Sequence, residues 1–342
     1  MKWILKIGTT RCLRYVSILG LAEIQFYDGY QPRICLLIKS ARTGSLKSQK
    51  LMSRLKVGKL KKTKKIELNF KELFMDRPKY IDWIIEEIGI CIKDDLPIKC
   101  YKINYSYDDS ILDDWALHIR RHYVSDESLA EDVHVFDMEV EDYLREYVIP
   151  QKHETLGATV RSGDIAEIIV ADLLEFIMGY SVPRYKQMNR SGKNNSEHGT
   201  DVIAYRFKKA DKTPTRHDEL IAAEVKAKLT DETYTPIESA VKDSKKDALR
   251  LARTVNHCRK RLQELGLNSE SQEVTRFLLK PEHDFQVKYI AAGLSSQETV
   301  EKEIKLSVSA DELCIGIDRE VYFIHGKELM TLAHDIYERC VR

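Results

Sequence analysis

Two segments on either side of a polar turn, 200–207 and 220–228, constrain the fold more than any other part of the chain. The second contains IAAEVKAK, residues 221–228. In an extended strand successive side chains point to opposite faces. Ile221, Ala223, Val225 and Ala227 then form an apolar face, and Ala222, Glu224, Lys226 and Lys228 the other. A carboxylate and an ammonium two residues apart are poor packing material on so small and apolar a strand. The intervening KKADKTPTRHD has the Lys, Asp, Thr and Pro content of a turn. A turn centred on Lys212 and Thr213 sets Asp201 opposite Glu224 in an antiparallel pair.

Carboxylates side by side on a strand pair repel each other and raise each other's pKa unless a cation lies between them. A hard divalent cation with oxygen ligands, Mg²⁺ or Mn²⁺, relieves that repulsion. Asp201 and Glu224 are the expected ligands, helped by the Val225 carbonyl, and Lys226 shares the Glu224 face, placed to act on an attacking water and to offset phosphate charge. Upstream, RSGDIAEIIVADLLE has helical periodicity. Asp164, Glu167, Asp172 and Glu175 fall on a polar arc of roughly 140°, with Ile165, Ile168, Ile169, Leu173 and Phe176 toward the core. Glu167 is the expected supporting acid and Asp164 the alternative; a solvated polar face is the competing reading.

Asp followed by Glu-x-Lys on the next strand, here HGTDVIAY and AAEVKAK, resembles the PD-(D/E)XK nucleases, as does the acidic helix before the first strand. The resemblance implies a restriction-endonuclease-like core, a mixed sheet flanked by helices, that hydrolyses phosphodiester bonds in DNA with Mg²⁺ or Mn²⁺. ALHIRRHYVSDESL, VRSGDIAEIIVADLLE, HGTDVIAY and AAEVKAKL together resemble more narrowly the DUF1837 nucleases, which include the nuclease subunit of the Hachiman anti-phage system. That likeness implies a helicase partner. Where those proteins show Gly-Glu at the helix start this chain has Gly163-Asp164, which leaves the role open between Asp164 and Glu167. A catalytically silent nuclease fold serving as a DNA-binding or regulatory subunit is the alternative from a different class.

The expected class is therefore α/β (α+β), with a nuclease domain over 151–342 and a separate α+β domain over 1–150, divided near Pro150 and Gly157. In the first half AEIQFYD, RICLLIK, KIELNF and KCYKINYSY read as strands and RPKYIDWIIEEIGICI as a helix. DDWALHIRRHYVSDESLAED is read as packing or interface. After the Glu-x-Lys strand come a long helix over 237–265, a strand VKYIAAGL, a hairpin-like LCIGIDREVYFIHG and a terminal helix.

DNA contacts are expected from Lys186, Arg190 and Lys193 in the Gly-, Ser- and Asn-rich loop before Asp201, from Lys228, and from Lys242 and Lys245 on the following helix. The net charge of +1 conceals a run from Lys47 to Lys65 with nine basic residues and no acidic one, suited to a polyanion or a protein partner. The seven cysteines are scattered and signal neither a disulfide framework nor a zinc site. His153, His198, His217, His257, His283 and His325 are read as structural or surface residues, and neither HExxH nor a Walker A sequence is present. Lys6, Arg11 and Arg14 interrupt the apolar start, and no later run is long enough to span a membrane, so a cytoplasmic protein is expected.

Overall fold

The computed structural model describes the strands within 2–36 and residues 77–92, 95–195, 199–278, 284–307 and 319–342. The chain divides into units Met1–Leu68 and Asn69–Arg342. In the first unit β1 (Lys2–Ile7), β2 (Arg11–Ile18), β3 (Leu21–Asp28) and β4 (Gln31–Leu36) form an antiparallel meander in sequence order. The basic run from Lys47 to Lys65 and the KIELNF segment lie outside the described residues.

The larger unit is built on a six-stranded sheet. Its strands are β5 (Ile84–Glu87), β8 (Lys99–Ile103), β9 (Val202–Arg206), β10 (Glu219–Lys228), β11 (Gln286–Ser295) and β13 (Arg319–Gly326), and short β6 (Cys91–Ile92), β7 (Leu96–Pro97) and β12 (Glu303–Ile304) form a separate three-stranded sheet. The spatial order is β5-β8-β13-β11-β10-β9. The four inner strands are parallel, and both edge strands pair antiparallel. This is the expected mixed sheet flanked by helices.

Alternation along β10 decides which layer sits where. Ile221, Ala223 and Val225 join the core formed with Ile165, Ile168 and Ile169 of the Gly157–Asp172 helix. Leu220 and Ala222 face Val255, Cys258 and Leu262 of the Asp247–Glu264 helix. The Asp109–Tyr123 helix completes the first layer. Asp108 caps it by accepting from the backbone N–H groups of Ser110 and Ile111, and Leu112, Trp115, Ala116 and Ile119 recur on one face and are buried. DDWALHIRRHYVSDESLAED is thus mainly core helix.

Four expectations change. The division falls near residue 68, not 150, because β8 pairs with β13 and β5 closes the sheet, so residues 84–103 belong to the same core as the strands after residue 200. RPKYIDWIIEEIGICI is a 3-10 turn over Lys79–Trp83 followed by β5; its Ile84-Ile85 pair suits a strand, and Gly89 turns the chain at φ +82°. The single helix over 237–265 is two, Thr235–Ser244 and Asp247–Glu264, with the Ser244 hydroxyl donating to the Val241 carbonyl at the break. The segment LCIGIDREVYFIHG is no hairpin in its described part: β13 runs parallel to both neighbours.

Small residues on β11 let the Thr235–Ser244 helix approach the sheet. A Cβ on Gly293 would stand 2.7 Å from the Ile237 backbone nitrogen. Gly293→Ala is expected to cost about 1–3 kcal/mol as over-packing, read as a lowered denaturant midpoint at unchanged m-value.

Candidate active site

The β9–β10 pairing runs from Arg206 opposite Glu219 to Val202 opposite Ala223. One step further the same register sets Asp201 against Glu224, as the turn position predicts. Asp201 lies in a bend just before β9, where the backbone ladder ends. Its side chain continues the connection, since the Val225 N–H donates to Asp201 Oδ2 at 2.8 Å.

Cations take most of the remaining acceptors. Lys186 Nζ donates to Asp201 Oδ1 at 2.8 Å and to Glu167 Oε1 at 3.0 Å, joining the helix acid to the strand acid. Gln187 Nε2 donates to Glu167 Oε2 at 3.0 Å. On the other side Lys226 Nζ donates to Glu224 Oε1 at 2.7 Å and Arg250 Nη2 to Glu224 Oε2 at 3.0 Å. Lys226 also pairs with Asp243 at 3.2 Å. Arg250 Nε donates to Asp247 Oδ1 at 3.0 Å, an atom that also accepts from Thr200 Oγ1 at 2.8 Å. Asp247 Oδ2 is buried and has no hydrogen-bond partner among the described residues.

Burial and mutual repulsion set the electrostatics. Burial, then the Asp201 charge, pushes the Glu224 carboxyl up to about 7 against the pull of Lys226. Burial pushes Glu167 up to about 8 against the pull of Lys186, with Asp201 and Asp164 adding to the rise. Burial, together with the Asp201 charge, also raises Asp247. Lys226 is raised despite burial because Glu224, Asp201 and Asp243 favour the ammonium. Such a set fits a hard divalent cation: carboxylates dominate the donors, burial and mutual repulsion raise Glu167, Glu224 and Asp247, and one buried carboxylate oxygen, Asp247 Oδ2, is unpartnered among the described residues.

Asp164 does not join this group. It receives Arg190 in a bidentate pair at 2.7 Å for each contact and the Tyr123 hydroxyl at 2.6 Å. Glu167 is therefore the helix acid that reaches Asp201, and Asp164 anchors the following loop. Of the residues expected at phosphates, Lys186 and Arg190 point inward and are buried, because the carboxylates of the 157–172 helix attract them. Lys193 is held by Glu154 at 2.6 Å and donates to the Arg145 carbonyl. Lys228 pairs with Asp231 and is half exposed, while Lys242 and Lys245 are exposed.

Sequence reasoning did not assign Thr200, Gln187, Asp243, Asp247 or Arg250 to the site. The signal for the last two was their spacing of three on one helix. It also left unread the His118/His122 spacing of four. These rings stack edge-on at 4.6 Å in a buried network in which His118 Nε2 lies 2.9 Å from Asp172, Tyr80 donates to Asp172 at 2.5 Å, and Arg184 donates to Asp172 and His122.

A family model described as HamA matches residues 78–340. No curated protein matches the chain. The matched span begins one residue before the 3-10 turn that leads into β5 and ends one residue beyond the terminal helix Leu329–Arg339.

Two outcomes test this reading of the buried charges. Arg190→Ala strips the partner from buried Asp164 and is expected to destabilise the fold by about 3–5 kcal/mol, whereas Lys242→Ala should lie within about 0.5 kcal/mol of wild type; equal effects would reassign Arg190 to the surface. His122 is held neutral by burial, then by His118 and Arg184, so its pKa lies well below the usual value. The unfolded chain takes up that proton below about pH 6.5, so the His122 contribution to stability falls by about 1 kcal/mol between pH 7 and 5.5, while the raised carboxyls of Glu167 and Glu224 favour the fold as pH falls through the same window. His122→Gln should remove that contribution, so that in denaturant titrations the variant gains about 1 kcal/mol relative to wild type on going from pH 7 to 5.5.

Proposed function

As the chain belongs to the HamA family of the Hachiman anti-phage defence system, we propose that it is the nuclease of that system, a metal-dependent phosphodiester hydrolase of PD-(D/E)XK type acting on DNA. The single observation that carries this reading is the convergence of Asp201, Glu224, Lys226 and Glu167, from the bend before β9, from β10 and from the Gly157–Asp172 helix, on one partly buried site. Asp201 and Glu224 would hold Mg²⁺ or Mn²⁺ with the Val225 carbonyl. When bound, the cation lowers the pKa of a water and offsets charge on the phosphate.

The chain's own groups divide the remaining work. Lys226, kept charged by Glu224 and Asp243, donates toward the attacking water or a phosphate oxygen rather than accepting a proton. Glu167 acts through Lys186 to position Asp201. Of the basic residues expected at the DNA backbone, Lys228, Lys242 and Lys245 are the ones that stay exposed. A helicase partner, implied by the family resemblance, would supply the ATP hydrolysis for which this chain has no Walker A sequence.

A second reading, a silent nuclease-fold subunit that binds DNA or regulates a partner, draws support from one observation. Both oxygens of Asp201, Glu224 and Glu167 already accept hydrogen bonds within the chain. The two readings part in one assay: Mg²⁺-dependent cleavage of plasmid and linear DNA, by the chain alone and with its helicase partner. Wild type is expected to cut, and Glu224→Ala and Lys226→Ala to lose at least about a hundredfold in rate. Cleavage surviving both substitutions would sink the assignment; no cleavage by any protein under either condition would favour the silent subunit.

A further inference from the structure

Three side chains of different chemistry meet at the other edge of the sheet, away from the carboxylate site. Glu87 of β5 stands in register with Cys100 of β8, whose partner on the other side is Phe323 of β13. His325, two residues further on, stacks on Phe323 with centroids 5.9 Å apart and planes 9° from parallel. The Cys100 thiol donates to Glu87 Oε2 at 3.8 Å, and His325 Nε2 lies 2.9 Å from the same oxygen. The ligand atoms of Glu87, Cys100 and His325 lie within 4.8 Å of one another. Cys100 and His325 are fully buried, while a third of the Glu87 side chain remains open to solvent, which gives an ion a way in.

The hydrogen bonds leave one position that needs positive charge. His325 Nδ1 lies 2.8 Å from the Gln297 backbone carbonyl oxygen. That oxygen only accepts, so Nδ1 carries a hydrogen. Nε2 then points its lone pair at a carboxylate oxygen unless a proton or a metal ion stands between them. The Nδ1–H···O=C contact is also the arrangement that fixes the tautomer and ring orientation of metal-bound histidines.

We propose that Glu87, Cys100 and His325 form a zinc site that clips edge strand β5 to β8 and β13. A thiolate, an imidazole nitrogen and a carboxylate oxygen are the donor types zinc takes, and three protein ligands leave a fourth position for water. Magnesium, which prefers oxygen and keeps its waters, has no use for the thiolate. Binding replaces the Cys100 S–H and the proton between His325 and Glu87 with bonds to the metal, and both protons leave to solvent. Thiolate and carboxylate together balance the charge of the ion. No residue of this site takes part in the nuclease reading, so either can fail without the other. The scattered cysteine spacing hid the site, because its ligands come from three strands far apart in sequence.

The test uses the full chain, stripped with a chelator and titrated with Co²⁺ and then Zn²⁺. Cobalt should give a sulfur-to-metal charge-transfer band at about one equivalent, displaced by zinc, and zinc should raise the Tm. The band should persist in Glu224→Ala, disappear in Cys100→Ser, and require at least about tenfold more metal in Glu87→Gln, a solvent-accessible position whose substitution keeps the test decisive if Cys100→Ser fails to fold. Absence of the band, its survival in folded Cys100→Ser, or unchanged affinity in Glu87→Gln would overturn the proposal and leave a proton between His325 and Glu87.

Discussion

The hydrogen bond from the Val225 N–H to Asp201 Oδ2 is the contact on which the candidate site depends. The backbone ladder between β9 and β10 stops at Val202 and Ala223. Beyond it, a carboxylate takes the acceptor role that a strand carbonyl would otherwise fill. This fixes Asp201 against β10 and leaves its other oxygen toward Lys186. Because side chains alternate along a strand, holding Val225 from this side puts Glu224 and Lys226 on the opposite face from Ile221, Ala223 and Val225, which pack on the Gly157–Asp172 helix. One bond thus couples register, core packing and the placement of charge.

The helix layer is shaped by similar competition between charge and packing. The Gly157–Asp172 helix starts where it does because Gly157 sits against the Gln151 carbonyl, with its missing Cβ position 1.8 Å from that oxygen. From there its acids sort by depth. Asp164 is closed by Arg190 and Tyr123, Asp172 by His118, Arg184 and Tyr80, and Glu167 between them faces the strands. Buried charges of this kind add little net stability when paired and cost several kcal/mol when a partner is lost. Their effect here is to fix which carboxylate remains available to Asp201.

The strand pair was legible in the sequence because it is local: period-two alternation and turn chemistry suffice to oppose Asp201 and Glu224. The mixed sheet with flanking helices was legible only through the nuclease resemblance that the Asp and Glu-x-Lys pattern carries, since its parallel pairings are long-range. The extent of the domain was not, since it depends on β8 pairing with β13 across more than half the chain. The loop cations were misplaced because composition shows that Lys186 and Arg190 are basic but not that buried carboxylates lie within reach. The break between Ser244 and Asp247 was missed because helical periodicity runs through it, and only the tertiary pull of Thr200 and Glu224 on Asp247 and Arg250 gives it a purpose.

The same pairing bears on how the site would take a cation. Lys186, Lys226 and Arg250 already neutralise much of the charge of Glu167, Asp201, Glu224 and Asp247. On the proposed metal reading, entry of a divalent ion would exchange one positive partner for another, and the affinity would be the difference between two strong interactions rather than the strength of one. Asp201 Oδ2 is committed to a backbone N–H that cannot leave without opening the β9 end, whereas Oδ1 is held by a flexible ammonium. Glu224 is held by two flexible side chains. On that reading the exchange would run through Lys186, Lys226 and Arg250, so the positions of these flexible side chains, and whatever moves them, would control a site whose carboxylates are otherwise in place.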